Sequence, residues 1–239
     1  MAVSFQIVLG PVETTPEVDS TNAELLRRAR DGEPHGLVLV ADHQTAGRGR
    51  LGRTWEAQPG AALLVSVLLR PALPPDELFR VTFAAALAAR DACTSVASVT
   101  PDIKWPNDLL IGDHKLAGLL AESVVTGARV DAVVVGMGLN LRATGLPAGA
   151  AAVDGVDRDT LLRAWLDQLD ARLADTDLLG QYRAACATIG RHIRVERPDG
   201  PLEGVASGVD DLGRLVVDGQ AVAAGDVIHV RAIEDRPDR

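Results

Sequence analysis

The sequence predicts an α+β fold, with a main domain of strands and helices followed by a small all-β domain. Two apolar runs of strand type, residues 36–41 and 61–69, flank a polar loop. Leucines and a tryptophan recur every four residues over 161–173, which is typical of an amphipathic helix. Beyond Thr188 the chain holds short apolar runs separated by turn signals, a pattern that favours a small β-barrel. We therefore expect domains at residues 1–188 and 189–239.

The composition is that of an ordinary globular protein and limits the classes of partner. The 239 residues are 47% hydrophobic and 24% charged. With 33 acidic against 24 basic residues, the net charge of −9 argues against general affinity for nucleic acid or anionic membranes. We expect no membrane helix, which needs roughly 20 apolar residues, and no secretory signal. Two cysteines are too few for a disulfide framework, so a cytoplasmic protein is expected.

The helices of the main domain have local start and stop signals. A short apolar run at residues 5–9 precedes the first helix. Thr21 and Glu24 have the spacing of a capping box, so this helix is expected to begin there and to end at Gly32. Prolines at the start of residues 74–92 predict a second helix over that range.

A strand expected over residues 99–103 leads into the motif Lys104-Trp105-Pro106-Asn107-Asp108. Proline lacks the N–H that strand pairing needs, and it disfavours helix at the residue before it. The strand must therefore end here, and a turn presents Asn107 and Asp108. We expect Trp105 in the core, and Lys104 either on the surface or in a site.

Apolar runs at residues 109–111 and 116–125 predict a hairpin, with Lys115 at the start of its second arm. A further buried strand, residues 132–135, is expected to run into a turn at Gly136-Met137-Gly138-Leu139-Asn140. Two glycines around one residue imply that another group approaches the backbone closely there.

The segment around which the chain is organised is Gly47-Arg48-Gly49-Arg50-Leu51-Gly52-Arg53-Thr54-Trp55, which we call the flap. Arginine offers a fixed fork of donors that suits phosphate or carboxylate. Glycine lets the backbone fold closely around a ligand. A solvated basic loop is the plain alternative, but so much local positive charge in an acidic protein favours an anion-binding role.

Four segments in this order resemble those of the biotin–protein ligases. They are Ser20-Thr21-Asn22, Gln44 with the flap, Lys104–Asp108 with Lys115-x-x-Gly118, and Gly136-x-Gly138-x-Asn140. Taken alone, Ser20-Thr21-Asn22 indicates only a helix cap. The resemblance spans residues 20–140 and implies an SH2-like catalytic domain whose mixed sheet is flanked by helices. The C-terminal β segment fits the family's small SH3-like domain.

The resemblance also implies a two-step reaction. Biotin's carboxylate attacks ATP to give biotinyl-5′-AMP and pyrophosphate, and a lysine of a biotin carboxyl carrier domain then displaces AMP. Because a carboxylate and a triphosphate repel each other, cations must bring them together. Closure of the flap over the anionic intermediate would then exclude water.

The same resemblance assigns the site residues. The implied catalytic residues are Lys115, Arg48, Arg50 and Arg53. The implied biotin-binding residues are Ser20, Thr21, Asn22, Gln44, Gly47, Arg48, Gly49, Arg50, Lys115 and Gly118. The implied nucleotide-binding residues are Arg50, Arg53, Trp55, Asn107, Lys115 and Asn140, with Trp55 on the adenine face and Asn140 on an adenine edge. Magnesium, which prefers one or two carboxylates plus phosphate oxygens, is expected at Asp108.

Three alternatives remain beside this reading. A lipoate–protein ligase would use a similar scaffold, although the flap and the Lys-Trp-Pro-Asn-Asp motif favour biotin. A biotin-responsive repressor would carry an N-terminal DNA-binding domain, which we do not expect because the motifs begin at Ser20. A Gly/Arg nucleic-acid binder would interleave aromatic residues, and only 3% of this chain is aromatic. His43 and His114 lack partners at zinc-ligand spacing, so no zinc site is expected.

Overall fold

The computed structural model describes residues 10–127, 129–197 and 200–229. The apolar run noted at residues 5–9 lies outside this part of the chain. No helix among the described residues combines the length and the apolar character needed to cross a membrane.

Four α-helices and twelve strands make up this part of the chain. The helices are α1 (Thr21–Arg30), α2 (Phe79–Ala97), α3 (Arg158–Leu173) and α4 (Leu178–Ala185). The first seven strands are β1 (Val12–Val18), β2 (Val38–Gln44), β3 (Ala62–Leu69), β4 (Asp102–Lys104), β5 (Asp108–Ile111), β6 (His114–Thr126) and β7 (Arg129–Asn140). The last five are β8 (His192–Glu196), β9 (Leu202–Val209), β10 (Leu215–Val217), β11 (Gln220–Val222) and β12 (Asp226–His229).

The strands form two sheets. The first has seven strands in the order β1-β2-β3-β7-β6-β5-β4, and it is mixed because β1 is parallel to β2 while the other pairs are antiparallel. The second is an antiparallel sheet of five strands in the order β11-β10-β9-β8-β12. An α+β fold with a mixed sheet and a C-terminal β unit is thereby confirmed. In the described residues, no pairing joins the outer strands β11 and β12 into a closed barrel.

Helices cover the seven-stranded sheet on both faces, and alternation along each strand decides which side chains meet which helix. On β2, Val38 and Val40 join the large core that contains α2 and α3, whereas Leu39 faces the smaller core under α1. On β7 the residues Ala132 and Val134 likewise face α1. This period of two is what burial of both sheet faces requires.

Two helix boundaries differ from the expectation. The N-cap of α1 is Ser20 rather than Thr21, since the Ser20 side chain accepts from the N–H of Ala23. The second helix runs to Ala97, beyond the expected end, and its prolines form a separate short 3-10 turn at Pro75–Glu77. Its alanine-rich sequence gives no local stop signal, so the helix continues until Ser98 adopts a left-handed conformation with φ of 54°.

The expected glycine turn after residues 132–135 was wrong. β7 continues without a break through Gly136 and Gly138 to Asn140, because both neighbours, β3 and β6, pair with it along this stretch. The strand expected over 99–103 is limited to β4, where it pairs with β5.

Side chains fix the C-terminal sheet to the main body around Trp105, which lies in the core as predicted. The indole N–H of Trp105 donates to the carbonyl of Gly213 at 3.0 Å, and its backbone N–H donates to Thr188 Oγ1 at 3.0 Å. Thr188 Oγ1 in turn lies 3.1 Å from His229 Nε2 on β12. The two sheets are therefore joined by a short chain of hydrogen bonds.

His229 is held neutral in this position. Arg191 Nη1 lies 3.2 Å from His229 Nδ1, and a guanidinium can only donate, so Nδ1 accepts and Nε2 carries the proton. Burial lowers the pKa of His229 from 6.5 to about 4; the charges of Arg191 and Lys104 also lower it, and Asp113 acts in the opposite direction. The folded state thus binds fewer protons than the unfolded state between these two values.

We expect the fold to lose stability as the pH falls from about 6.5 towards 4, because the unfolded state takes up a proton that folded His229 resists. After allowance for solvent screening, the contribution is roughly 1 to 2 kcal/mol. Urea denaturation of wild type and His229→Gln at pH 7.5 and pH 5 measures it. The variant should show a smaller pH dependence than wild type. His114→Gln, at the exposed first position of β6, is the control; equal pH dependence in all three proteins would contradict the assignment.

Candidate functional site

A cleft of about 110 Å³ lies on the α1 face of the seven-stranded sheet, next to the N-terminus of α1. Its walls are the end of β2, the flap, the turn at residues 104–108 and the start of β12. The site therefore draws on both sheets.

The floor of the cleft is made of glycines on adjacent strands. Gly118 on β6 pairs with Gly138 on β7, and Gly136 lies two residues earlier on the same face of β7. Along that face, Ala132 and Val134 pack beneath α1. Glycine replaces these side chains at Gly136 and Gly138, beyond the N-terminal end of α1. The cleft exists because these positions carry no side chain. The close approach that the sequence indicated is thus correct, although it occurs on a strand and not on a turn.

The indole of Trp55 is the group that approaches this floor. A Cβ on Gly138 would lie 2.7 Å from Trp55 Nε1, and a Cβ on Gly118 would lie 3.2 Å from Trp55 Cζ3. Lys115 Nζ lies 5.6 Å from the ring centroid, within the range of a cation–π contact. Trp55 Nε1 is buried and has no hydrogen-bond partner in the described part of the chain. The indole N–H is therefore an unsatisfied donor at the glycine floor.

The flap is a small hairpin, so its parts are mechanically connected. The N–H of Trp55 donates to the carbonyl of Gly47 at 3.0 Å, and the N–H of Gly49 donates to the carbonyl of Arg53 at 2.7 Å. Leu51 at the tip has a positive φ of 55° and is 63% exposed. Gly47 closes the base, where a Cβ would lie 3.0 Å from Gln44 Nε2.

The three flap arginines are spread across the cleft. Arg48 Nη1 donates to Glu122 Oε1 at 3.1 Å, and Arg50 Nη1 donates to Asn107 Oδ1 at 3.3 Å. Arg53 pairs with a carboxylate of the C-terminal sheet, Asp226. Mutual repulsion of the three guanidinium groups is thus offset by separate partners.

Arg50 stands apart because its hydrogen-bond acceptor is neutral. Burial lowers the pKa of the Arg50 guanidinium from its ordinary value, while the nearby charge of Asp108 raises it. An arginine stays charged at neutral pH whatever the shift. A partly buried cation bonded to an amide oxygen is therefore well placed to accept an anion.

Lys115 lies beside the turn at residues 104–108, and hydrogen bonds and an ion pair fix both its side chain and its backbone. Lys115 Nζ forms an ion pair of 2.8 Å with Asp108 Oδ1. The N–H of Lys115 donates to the carbonyl of Gly149, and its carbonyl accepts from the N–H of Ala151, both at 2.8 Å. Asn140 Nδ2 donates to the carbonyl of Ala151 at 2.9 Å, so this side chain supports the loop that positions Lys115.

A buried polar network forms the end of the cleft near α1. The N–H of Thr21 donates to Gln44 Oε1 at 2.8 Å, and Asn22 Nδ2 donates to Glu122 Oε2 at 3.0 Å. Ser66 Oγ lies 2.7 Å from Thr21 Oγ1 and 2.6 Å from Asn22 Oδ1. Each side chain is fixed by another, so this end is a rigid polar surface in which Ser20, Thr21, Asn22 and Gln44 are uncharged.

Most of the residues singled out in the sequence line the cleft. Those in its wall are Ser20, Thr21, Asn22, Gln44, Arg48, Gly49, Arg50, Arg53, Trp55, Asn107, Asp108, Lys115 and Gly118. Gly47 lies at the base of the flap, and Asn140 lines an adjoining pocket with Trp55 and Lys115. Their individual roles stay predictions.

The sequence analysis did not identify three residues of the site, which are Glu122, Asp226 and Ser66. Glu122 and Asp226 lie 74 and 173 positions from their arginine partners, and nothing local marks them. Ser66 did carry a signal, since it is a hydroxyl in the middle of the apolar run 61–69 and is fully buried.

This fold and site define the class of protein. The chain belongs to the biotin/lipoate A/B protein ligase family, whose model matches residues 15–140, including the flap and the glycine floor. A second model, for the biotin protein ligase C terminal domain, matches residues 188–230.

Individual relatives agree with this placement. The biotin–(acetyl-CoA-carboxylase) ligase of Mycobacterium tuberculosis is 40% identical, over 92% of this chain and 89% of the relative. The enzyme of the same name from Paracoccus denitrificans is 34% identical, over 85% of this chain and 92% of the relative. Among solved structures, the biotin protein ligase from Aquifex aeolicus in complex with biotin and ATP matches with a TM-score of 0.76 and 25% identity, over 92% of this chain and 99% of that one.

We expect Gly138→Ala to displace Trp55, because the new Cβ would overlap the indole, at a cost of roughly 1 to 3 kcal/mol. Acrylamide quenching of tryptophan fluorescence should increase, since Trp105 and Trp165 are buried and Trp55 would become exposed. Gly208→Ala on β9 is the matched control, as nothing lies within 4 Å of its Cβ position. Unchanged quenching in Gly138→Ala would show that the indole does not sit on this floor.

Removal of the Ser66 hydroxyl should destabilise the fold by roughly 1 to 3 kcal/mol, because Thr21 and Asn22 would each lose a buried partner. Urea denaturation of Ser66→Ala measures this loss. Ser207→Ala removes an exposed hydroxyl from β9 and should change stability by less than about 0.5 kcal/mol. Equal midpoints for the two variants would argue against the network.

Proposed function

We propose that the protein is an ATP-dependent biotin–protein ligase. It activates biotin as biotinyl-5′-AMP and transfers the biotinyl group to a lysine of the carrier domain of a biotin-dependent carboxylase. The observation that carries this proposal is the position of Arg50, a partly buried cation bonded to a neutral amide and next to Lys115, above a glycine floor. The relatives named above support biotin as the substrate.

The physical problem of the first step is charge. Biotin's carboxylate and the triphosphate are both anionic, and two unit charges about 4 Å apart repel by roughly 4 kcal/mol at an effective dielectric constant of about 20. Arg50 bonds to Asn107 and Lys115 pairs with Asp108, both on the turn at residues 104–108, so the two cations can offset this repulsion. They would also stabilise the charge that gathers on the transferred phosphoryl group.

The layout of the cleft indicates the end at which each reactant would bind. The neutral network around Ser20, Thr21, Asn22 and Gln44 suits the ureido ring of biotin, which needs donors and acceptors without charge. The valeryl chain would then run towards Lys115 along the Trp55 indole, which covers Gly118 and Gly138 of the glycine floor.

The nucleotide would bind at the opposite end of the cleft. Trp55, Lys115 and the loop at residues 147–150 line a pocket that adjoins the cleft. There the indole can stack on adenine. Asn140 contributes by holding the loop, since its amide donor is engaged by Ala151; a contact with the adenine edge would have to use its oxygen.

In the first step a carboxylate oxygen of biotin attacks the α-phosphorus, the bond from that phosphorus to the bridging oxygen breaks, and pyrophosphate leaves. In the second step the carrier lysine, as a free amine, attacks the acyl carbon. The carbon–oxygen bond to phosphate breaks, AMP leaves and the amine loses a proton to solvent. Between the steps, Trp55 and the flap would cover the mixed anhydride and exclude water.

Magnesium fits the donor set as a companion of the triphosphate. Asp108 supplies one carboxylate at the rim of the cleft, and magnesium is commonly held by one or two carboxylates together with phosphate oxygens. Asn107 is less suited, because its oxygen accepts from Arg50 and its nitrogen donates to the carbonyl of Leu119. When bound, the ion would neutralise charge on the departing pyrophosphate.

We also propose a division into a catalytic domain, residues 1–188, and a C-terminal domain, residues 189–239. The change from a mixed, helix-covered sheet to short antiparallel strands after Thr188 supports it. SH2-like and SH3-like are the fold descriptions that we propose for these two domains.

The decisive assay combines the protein with a biotin carrier domain, ATP and magnesium, with either biotin or lipoate, and reads the mass of the carrier. A gain of biotin's mass is expected, and a gain of lipoate's mass alone would overturn the substrate assignment. Lys115→Ala should abolish the gain, and Arg50→Ala should reduce the rate by about 100-fold or more, as loss of a preorganised charge does. Arg129→Ala, whose side chain is 82% exposed on the far hairpin, is the control. Wild-type rates in both site variants would remove the assigned roles.

A further inference from the structure

An ion pair ties the flap to the C-terminal sheet. Arg53 Nη1 donates to Asp226 Oδ1 at 3.0 Å, and Arg53 Nη2 donates to Asp226 Oδ2. This fork-to-fork geometry uses both carboxylate oxygens, so it fixes direction as well as distance. The rest of the flap's side-chain contacts described above are made with the seven-stranded sheet and its turns.

The backbone at Asp226 is held in place by strand pairing and by tight packing. It begins β12, which pairs with β8 from Asp226↔Glu196 onwards. The preceding residue, Gly225, is so close to β8 that a Cβ there would lie 3.1 Å from the carbonyl oxygen of Glu196. At the other end of β12, His229 is bonded to Thr188 of the main body. The carboxylate therefore keeps its place when the flap moves.

The hairpin of the flap carries this restraint into the cleft. Arg53 and Gly49 are joined by a backbone hydrogen bond, and so are Trp55 and Gly47. A force that holds Arg53 thus also holds Arg50 over the turn at residues 104–108, and it holds Trp55 on the glycine floor. Release of Arg53 would therefore weaken the restraint on Arg50 and Trp55, which keep their own contacts with Asn107 and with the glycine floor.

The strength of the pair suits a reversible restraint. Arg53 is 61% exposed and Asp226 is 27% exposed, so solvent screens their attraction. Pairs of this kind change an equilibrium by a few-fold, with bidentate geometry at the upper end, about 5-fold. The pair can bias the flap towards closure without preventing it from opening.

We propose that Asp226 is a positioning residue, which acts through Arg53 to hold the flap closed over the cleft before nucleotide arrives. The C-terminal sheet would then contribute to ATP binding without touching the reacting atoms. The contribution to ATP binding rests on the proposed function, whereas the restraint on the flap does not.

The test begins with the ligand-free protein and Asp226→Asn, which removes the charge and keeps the shape. Limited trypsin digestion, followed by mass spectrometry, reports cleavage after Arg48 and Arg50. We expect cleavage about 2- to 5-fold faster than in wild type, because the flap opens more often. Glu203→Gln is the matched control, since it removes an exposed carboxylate of the same sheet that pairs with Arg194 and not with the flap.

The second measurement is the kinetics of carrier biotinylation. Asp226→Asn should raise the KM for ATP by about 2- to 5-fold with little change in kcat, as expected when a closed conformation becomes less populated. Asp226→Glu, which keeps the carboxylate, should recover most of the trypsin protection and of the KM. A purely structural role would instead lower the melting temperature and would not separate KM from kcat.

Two results would overturn the inference: trypsin cleavage of Asp226→Asn at the wild-type rate, or equal acceleration in Asp226→Asn and Glu203→Gln. If wild type fails to biotinylate any carrier but the difference in cleavage persists, the proposed function falls and the restraint on the flap stands.

Discussion

The contact between the Trp55 indole and a stretch of sheet without side chains is the constraint on which the site depends. Gly118 and Gly138 are hydrogen-bonded neighbours on β6 and β7, so their bare backbones form one flat surface. The flap can close only because the ring fits against that surface. Once the ring is seated, the flap hairpin sets the height of Arg50 above the cleft. Steric fit therefore determines where the positive charge is delivered.

Charge in the cleft is arranged along its length and not collected at one point. Arg48 lies towards the neutral network of α1, Arg50 lies in the middle, and Arg53 reaches the C-terminal sheet. A neutral region next to a cationic one is what a substrate with a polar, uncharged ring and a carboxylate tail requires. The protein's overall negative charge disfavours the binding of anions elsewhere on its surface.

Much of the fold could be predicted because its signals are local. Continuous apolar runs located β2, β3 and the hairpin of β5 and β6, and the four-residue repeat located α3. The glycines of residues 136–138 correctly indicated close approach, but a single strand cannot reveal that both neighbours continue its pairing, so the stretch was taken for a turn. Hydrogen bonding by β3 and β6 outweighs the weak strand propensity of glycine there.

The electrostatic partners could not be predicted in the same way. Motif spacing brought attention to the arginines and to Lys115, yet Glu122 and Asp226 became relevant only when folding placed them opposite the flap. Carboxylates are common in this chain, with 33 acidic residues, so no pattern distinguishes those two from the others. Ser66 is different, because a lone hydroxyl inside an apolar strand is itself a sign that something polar lies opposite.

The ion pair between Arg53 and Asp226 spans 173 positions of the chain. During synthesis the flap leaves the ribosome long before its carboxylate partner does. A nascent chain can build the seven-stranded sheet and the glycine floor first, since those contacts lie earlier in the sequence. The cleft acquires its last wall only when β12 has been added, which delays the finished geometry until translation has passed that strand.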